Sequence, residues 1–426
     1  MQPKQPKIVQ RLLVRTFILL LSVAAVFLGI QYVLNWRKDP DSGTADTAGM
    51  IAAIEILPEG QQAVVFDKDG KKISSPDYTA GKSDRDIVWL PDGNRIYFTS
   101  DRKEAAYNLY RWNPANDSVM QKSTGSLSRF DPSFPPVDPN DAVAVKEAAK
   151  SALIAQGGFV LEYNFFEQSS QQLMPPPGGV TVGSEEGSGG SGQFDAIYQK
   201  FGSSFRTARW LGDKDYIAAV MKRDDGEILV LQRLGAKTAE ESIPHPLIAG
   251  DHIDIDVDPH SGALAFTVQG FQFPDRDNIP KEFIKNGKAV KPYENAIFGF
   301  DPNKPKEQQT FIVAASSNSE LAFGPPAVSP DGAKVAITTG KYDGTNFEPA
   351  GIAVMPFQLG GMRSGTALVR GSIREYSWHP SGKKLVYIKS TGGERAIYSI
   401  GDDGTGEVKV SSGGNFMTPK FSPQSK

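Results

Sequence analysis

The sequence is short of the residues that most often carry enzyme chemistry. Its 426 residues include no cysteine and only four histidines, so disulfides, thiolate metal sites and a cysteine nucleophile are excluded. It contains no Gly-x-Ser-x-Gly elbow and no His-x-x-x-His pair. The formal net charge is only −3, so bulk electrostatics predict neither nucleic-acid binding nor attraction to an anionic membrane surface. We therefore predict no catalytic residue and no cofactor.

Long hydrophobic runs are also lacking, with one exception near the N-terminus. The segment from Thr16 to Trp36 carries no charge and is long enough to cross a hydrocarbon core of about 30 Å as a helix. Four basic residues precede this run and two follow it, and this excess of positive charge places residues 1–15 in the cytoplasm. The sequence predicts a single-pass anchor in the lipid bilayer of the bacterial inner membrane, with the remainder of the chain periplasmic or otherwise extracytoplasmic.

A cleaved signal peptide is the alternative interpretation of this leader, because both begin with basic residues and an apolar run. Retention is favoured, since the run exceeds a usual signal-peptide core and no small-x-small site lies between Tyr32 and Asp39. Residues 37–50 are small and polar, which is typical of a flexible tether. Residues 51–426 then form one large domain.

That domain repeats one phrase: a short strand, a Pro-Asp-Gly turn and an apolar strand. Clear copies begin at Ile87, Ala327 and Tyr376. Looser copies begin at Ile54, Arg129, Ala208 and Ile255. Proline and glycine provide the dihedral angles that a tight turn needs. Three of the five tryptophans occupy one equivalent place before the turn, namely Trp89, Trp210 and Trp378.

Each copy is followed by further strand-turn-strand sequence, so one unit holds about four short strands, as in a propeller blade. The chain is thus predicted to be an all-β propeller of six to eight blades, with seven preferred. Two wide spacings, from Pro132 to Gly212 and from Pro259 to Pro330, require insertions or a further blade. The tail at Phe421 resembles the start of a blade, and we expect it to pair with the blade that begins at Ile51; a frayed terminus is the alternative.

The phrase resembles the Pro-Asp-Gly repeats of the TolB-like β-propeller family and of tricorn-type and prolyl-oligopeptidase-type peptidases. The resemblance covers roughly residue 51 to the end and implies the propeller fold. TolB-like proteins are expected to carry a small α/β domain before the propeller, and here only the tether lies there. The partner of TolB is therefore not implied, and no residues remain for a hydrolase domain.

Two insertions interrupt the repeats. Residues 173–195 are rich in glycine, serine and proline and predict a surface loop. Residues 270–297 mix aromatic residues with lysines, which favours either a contact surface or a long hairpin packed on its own propeller. The segment from Lys146 to Gln156 fits a short helix or a strand.

One charged pattern is unusual, because Asp254, Asp256 and Asp258 alternate along a predicted strand and would point to one side. They are weak candidates for a Ca²⁺ site, and solvation at a channel mouth is preferred. No other metal site is predicted, since His260 and His379 lie in turns and His245 and His252 show no ligand spacing.

These features favour a non-catalytic scaffold or accessory subunit that binds another protein within a membrane complex. Radially packed blades hold their loops in fixed places, so a partner would meet a preorganised surface. The alternative is a ligand-binding sensor, hydrolase or lyase working at the mouth of the central channel, which would require converging ionisable groups there.

Overall fold

The computed structural model describes residues 47–424 apart from 77, 125, 127, 138–140, 177–200, 213–214, 236–243, 318–319 and 343–345. Within these residues the chain forms β-strands joined by tight turns, with one short α-helix and three 3-10 turns. No helix in this part of the chain has the length and apolar character that crossing a membrane requires. The predicted transmembrane helix and most of the tether lie outside the described residues, as does most of the predicted loop at 173–195.

The strands form four-stranded antiparallel sheets, which we call blades 1 to 7. Blade 1 contains β1 (Ile51–Leu57), β2 (Gly60–Phe66) and β3 (Lys72–Ser74), and its fourth strand comes from the end of the chain. Blade 2 contains β4 (Asp84–Trp89), β5 (Ile96–Ser100), β6 (Asn108–Asn113) and β7 (Ser118–Gln121). Blade 3 contains β8 (Phe130–Ser133), helix α1 (Ala142–Ala148), β9 (Ser151–Gln156), β10 (Phe159–Asn164) and β11 (Ser169–Met174).

Blades 4 and 5 share one long strand and so appear as a seven-stranded sheet. Blade 4 contains β12 (Ser204–Leu211), β13 (Tyr216–Arg223), β14 (Gly226–Arg233) and the first half of β15 (His245–Val257). The second half of β15 begins blade 5, which continues with β16 (Leu264–Gln272), β19 (Asn295–Phe300) and β20 (Thr310–Ser316). A small separate hairpin of β17 (Ile284–Lys285) and β18 (Lys288–Ala289) lies between β16 and β19.

The last two blades are regular. Blade 6 contains β21 (Ala322–Val328), β22 (Lys334–Tyr342), β23 (Phe347–Pro356) and β24 (Thr366–Arg370). Blade 7 contains β25 (Ile373–Trp378), β26 (Lys384–Thr391), β27 (Glu394–Gly401) and β28 (Val408–Lys409). The 3-10 turns are Lys281–Phe283, Lys306–Gln308 and Gly361–Ser364.

The final strand, β29 (Phe416–Phe421), closes the ring. It pairs with β1, with Phe421 opposite Ile51, and becomes the innermost strand of blade 1. The predicted pairing of the tail is therefore confirmed, and a frayed terminus is wrong. The innermost strands contact one another in the cyclic order β29, β4, β8, β12, β15, β21, β25 and back to β29. Seven blades thus form a closed propeller.

The core consists of apolar layers between neighbouring blades. Seven clusters of buried side chains occur, and each joins two adjacent blades. This explains the nearly unbroken apolar strands of the sequence: all five residues of Ile96–Ser100 are buried, because both faces of β5 are covered. In blade 1 the inner edge of β1, which would otherwise be left unpaired, pairs with β29.

The tryptophans of the repeat connect blades at the channel wall. Trp89 Nε1 donates to the carbonyl of Lys420 in the preceding blade at 3.0 Å, and Trp378 Nε1 donates to the carbonyl of Ala327 at 2.8 Å. Each of these two indoles therefore buries its ring between two sheets and donates its N–H to the innermost strand of the preceding blade. This contact explains the equivalent positions of Trp89 and Trp378, and Trp210 shares with them the burial of its ring between two blades.

The turns of the repeat follow the innermost strands and lie together at one end of the channel, which we call the proline face. Prolines 91, 135, 136, 259, 330, 380 and 423 line one depression there. Pro58 is not among them, because its turn joins β1 to β2 rather than following an innermost strand. The copy predicted at Ile54 is therefore out of phase, and the tail at Phe421 supplies the true equivalent.

The structure also answers two open questions about local structure, the segment from Lys146 to Gln156 and the wide spacing after Pro259. The segment from Lys146 to Gln156 is both helix and strand: α1 begins at its cap Asp141, whose carboxylate accepts from the Val143 and Ala144 amides at 3.0 Å, and β9 follows. The wide spacing after Pro259 reflects an insertion rather than an extra blade, because only the hairpin β17–β18 lies there.

Candidate functional site

Several ionisable side chains face the central channel. A cavity of about 700 Å³ lies between the innermost strands and is lined by residues of all seven blades. A second cavity of about 710 Å³ opens at the end opposite the proline face, where His252 and Glu348 lie. These two spaces are the candidate site.

Irregular strands direct polar side chains into this channel. Asp86, Asp131 and Thr418 occupy equivalent places in blades 2, 3 and 1, and all have positive φ, at 50°, 51° and 50°. Positive φ is uncommon for residues other than glycine and costs on the order of 1–3 kcal/mol. In β4 and β8 the pairing with the next strand shifts register at this point, so the extra residue bulges toward the channel.

One ion pair joins blades 3 and 4. Arg209 Nη1 lies 2.6 Å from Asp131 Oδ2 and also donates to Thr207 Oγ1 at 2.8 Å. The Thr207 hydroxyl donates in turn to Asp131. Burial opposes ionisation of Asp131, but the adjacent Arg209 charge and these hydrogen bonds outweigh it and hold the pKa of Asp131 below its usual value. Asp131 is therefore a carboxylate that fixes two blades together.

A second network joins blades 4 and 5 beside the second cavity, at the end opposite the proline face. Arg206 donates to Glu227 through Nε at 2.7 Å and Nη2 at 2.9 Å, and lies 3.6 Å from Asp254. Glu227 also accepts from the backbone amide of Ile253 at 2.8 Å. His252 lies between the two carboxylates, 3.3 Å from Glu227 and 3.1 Å from Asp254.

The charges in this network stabilise one another. Burial alone would lower the pKa of His252, but the hydrogen bond and charge of Asp254 raise it above the ordinary value. Burial would likewise raise the pKa of Asp254, whereas His252 and Arg206 lower it. At neutral pH Asp254 is thus an anion held between two cationic or partly cationic groups.

Two channel carboxylates have no ion-pair partner among the described residues. Asp86 accepts a hydrogen bond from the Thr99 hydroxyl at 2.8 Å, and Asp256 accepts one from the Val328 amide at 2.7 Å. Burial raises the pKa of both, and the neighbouring Asp131 charge raises that of Asp86 further. Asp256 nevertheless links blade 5 to blade 6.

The predicted trio of aspartates is only partly assembled. Asp254 and Asp256 both line the channel cavity. Asp258 does not join them, because β15 ends at Val257 and the Asp258 carboxylate is buried in the following turn, accepting from the His260 amide at 2.9 Å. No three His, Asp or Glu side chains converge in a metal-binding arrangement in the part of the chain that the structure describes.

Sequence reasoning missed Arg206, Arg209 and His252. His252 shows no ligand spacing with His245, but the alternation His252, Asp254, Asp256 along β15 puts it on the same side of the strand as the aspartates. That spacing was the available signal. The two arginines have no such signal, since their partners lie on other strands far away in the sequence. His260 and His379 lie in turns as predicted; the His379 ring is hydrogen-bonded to Ser381 at 2.8 Å.

Comparisons with known proteins bear on the fold. No family model and no curated protein sequence matches the chain. Among solved structures, it is similar to TolB from Acinetobacter baumannii, at 15% identity over 89% of this chain and 68% of that one, with a TM-score of 0.46. It is also similar to an oligogalacturonate lyase in complex with manganese, at 9% identity over 84% of both chains and a TM-score of 0.49.

A third likeness is to the β-propeller domain of the Trilobed protease from Pyrococcus furiosus, at 11% identity over 86% of this chain and 95% of that one, with a TM-score of 0.46. Similarity at this level carries no functional argument, and the propeller assignment rests on the closed ring of sheets described above. A TolB structure is thus among those to which this chain is similar, as the Pro-Asp-Gly repeats predicted.

Proposed function

We propose that this protein is a non-catalytic β-propeller that binds another protein as an accessory subunit or scaffold of a membrane complex. In this proposal the predicted helix from Thr16 to Trp36 anchors it in the bacterial inner membrane, and the propeller lies outside the cytoplasm. The observation that supports the binding role is that charged side chains of the channel form ion pairs with neighbouring blades.

The paired ionisable groups of the channel are already bound to one another. Arg209 is bound to Asp131 between blades 4 and 3, and Arg206 contacts Asp254 between blades 4 and 5 while also pairing with Glu227 within blade 4. A catalytic acid or base needs a free proton-transfer position within reach of substrate. Groups that are mutually saturated instead stiffen the ring, and a stiff ring loses little ordering entropy when a partner docks.

Chemical crosslinking of intact cells tests the binding role. After mild crosslinking and gentle solubilisation, we expect the full-length chain to migrate in native gels as a discrete larger assembly that contains a second protein. The control is the same protein extracted without crosslinker at high salt. A chain that remains a lone monomer under every crosslinking condition would contradict the proposal.

The topology has its own test. A periplasm-active phosphatase reporter fused after Lys426 should be active in cells, because the basic residues before Thr16 favour a cytoplasmic N-terminus. A matched fusion carrying the same reporter directly before the apolar run provides the inactive control. Activity of the second fusion alone would reverse the orientation.

A second candidate function is binding of a small polar ligand in the channel, and the 700 Å³ cavity with two unpaired carboxylates favours it. A buried carboxylate without a cationic partner is costly unless it is protonated or neutralised. A cationic probe such as spermidine should then raise the melting temperature of wild type but not of Asp86→Asn or Asp256→Asn. An equal shift in all three proteins would exclude this site.

A further inference from the structure

The insertion between β16 and β19 forms a projecting surface that the ring itself does not require. We call residues 274–292 the basic arm. Its tip is the hairpin β17–β18, whose turn residues Asn286 and Gly287 have φ of 51° and 73°. Two successive positive φ values are the signature of the tight hairpin turn that Asn-Gly favours. The tip is thus a tight turn of a defined type and not an irregular loop.

Aromatic side chains fix the arm to the propeller. The Phe271 ring, which is buried in the core between blades 4 and 5, lies 5.1 Å from Phe273 and 4.9 Å from Tyr293, centroid to centroid. Phe273 lies 5.7 Å from Phe283 within the arm. The aromatic residues of this insertion therefore pack on their own propeller, as the second of the two sequence-based alternatives predicted for them. The lysines stay exposed.

The tip breaks a local rule. Lys285 and Lys288 stand directly opposite each other across β17 and β18, an arrangement of like charges that destabilises a hairpin. Neither lysine forms an ion pair with a described residue, and nor does Lys281. Ile284 and Val290 beside them are 45% and 40% exposed. Nothing in the described ring compensates this charge or covers these apolar groups.

The arm rises on the face away from the point where the chain enters the ring. Thr47 is held at the proline face, where its hydroxyl donates to the Gly93 carbonyl at 2.7 Å. Strand β16 starts after the Pro259 turn on that face and runs to the opposite end, where the arm begins. A binder of the arm therefore approaches the propeller from the end of the channel opposite the proline face.

We propose that the basic arm is the docking element for an acidic surface of another protein, with Lys285 and Lys288 contacting carboxylates and Ile284 and Val290 excluding water around them. This inference rests on the proposed protein-binding function and names its contact surface. Lysine–carboxylate pairs set orientation and speed of encounter, and the apolar neighbours provide area that becomes buried on contact.

Site-specific photocrosslinking tests the proposal. The full-length chain carrying p-benzoylphenylalanine at Val290 is irradiated in its own cells, and the adduct is isolated and sequenced. We expect one protein adduct whose crosslinked segment is rich in Asp and Glu. The double variant Lys285→Glu/Lys288→Glu should lower its yield at least tenfold, while Lys285→Arg/Lys288→Arg retains it.

The matched control is Lys383→Glu/Lys384→Glu, which makes the same change of charge in a turn of the proline face and should leave the yield unchanged. An adduct with lipid alone, with a second copy of this chain or with a segment poor in acidic residues would overturn the proposal, as would no adduct from Val290 or from Ile284. If the chain crosslinks only through a probe at the exposed Leu359, the scaffold function stands and the arm assignment fails.

Discussion

Replacing Arg102 by methionine should strongly destabilise the propeller. Arg102 and Asp84 form a buried ion pair with side-chain exposures of 3% and 0%. The guanidinium donates to both carboxylate oxygens, at 2.9 Å and 2.5 Å. It also donates to the Pro76 carbonyl and the Ser75 hydroxyl, both at 2.5 Å, so one side chain ties the loop after blade 1 to blade 2.

The magnitude follows from what remains after the substitution. Asp84 would keep only its hydrogen bond from the Ala63 amide, at 2.8 Å, and would be a buried charge without a cation. Removing one member of a buried pair typically costs about 3–5 kcal/mol. Methionine retains most of the contact with the Phe98 ring, over which the guanidinium lies at 4.9 Å, so the loss reports mainly on the charge.

Urea unfolding followed by tryptophan fluorescence measures this change. The matched control is Lys150→Met, which removes the exposed pair with Glu147, where both groups are largely in water and the expected cost is less than about 1 kcal/mol. The double variant Asp84→Asn/Arg102→Met should recover part of the loss, because no buried charge is then left unpaired. An Arg102→Met protein within about 1 kcal/mol of wild type would refute the reasoning, since a buried pair must cost more than that to break.

Three further predictions concern closure, the tryptophan link and pH. Deleting residues 416–424 removes β29 and uncovers the edge of β1, so the truncated protein should aggregate on gel filtration, while Gln424→Ala should not. Trp378→Phe keeps one aromatic ring but removes the five-membered ring with its N–H, so the Ala327 carbonyl loses this donor and stability to urea should fall by about 1–3 kcal/mol; no change would exclude a role for the indole N–H. The raised pKa of His252 means that its protonated form stabilises the fold below about pH 6.5 and that this contribution disappears as pH rises through the raised pKa. His252→Gln should flatten that part of the stability profile, and an unchanged profile would show that His252 does not titrate with folding.

The fold could be predicted because its signals are local. The Pro-Asp-Gly turn, the tryptophan before it and the apolar strand after it occur within one short stretch, and each encodes a turn, a blade-to-blade contact or a strand covered on both faces. Even the closure was visible, because the tail at Phe421 repeats the start of the phrase. The copy at Ile54 misled because a similar Pro-Glu-Gly turn occurs one strand out of phase, and turn chemistry does not record which pair of strands it joins.

The candidate site could be predicted only where its residues share one strand. Asp254 and Asp256 are two apart on β15, so alternation places both in the channel. His252 was missed, although the same alternation extended by two residues puts it on the same side of the strand. Arg209 reaches Asp131 across 78 positions of sequence, and Arg206 reaches Glu227 across 21. Such convergence depends on the register of neighbouring blades and on bulges such as the one at Asp131, which sequence periodicity does not reveal.

The departures from local preference in this propeller fall into two groups with different causes. Positive φ at Asp86 and Asp131 is strained, but in both cases the side chain gains hydrogen bonds that join strands, so the ring compensates its own strain. The opposed lysines at the tip of the basic arm gain no such contact within the described residues. A locally unfavourable feature that the fold offsets is part of the architecture, whereas one that it leaves uncompensated indicates a contact outside the fold. The channel charges thus stabilise the propeller, and the basic arm is where we propose that another protein docks.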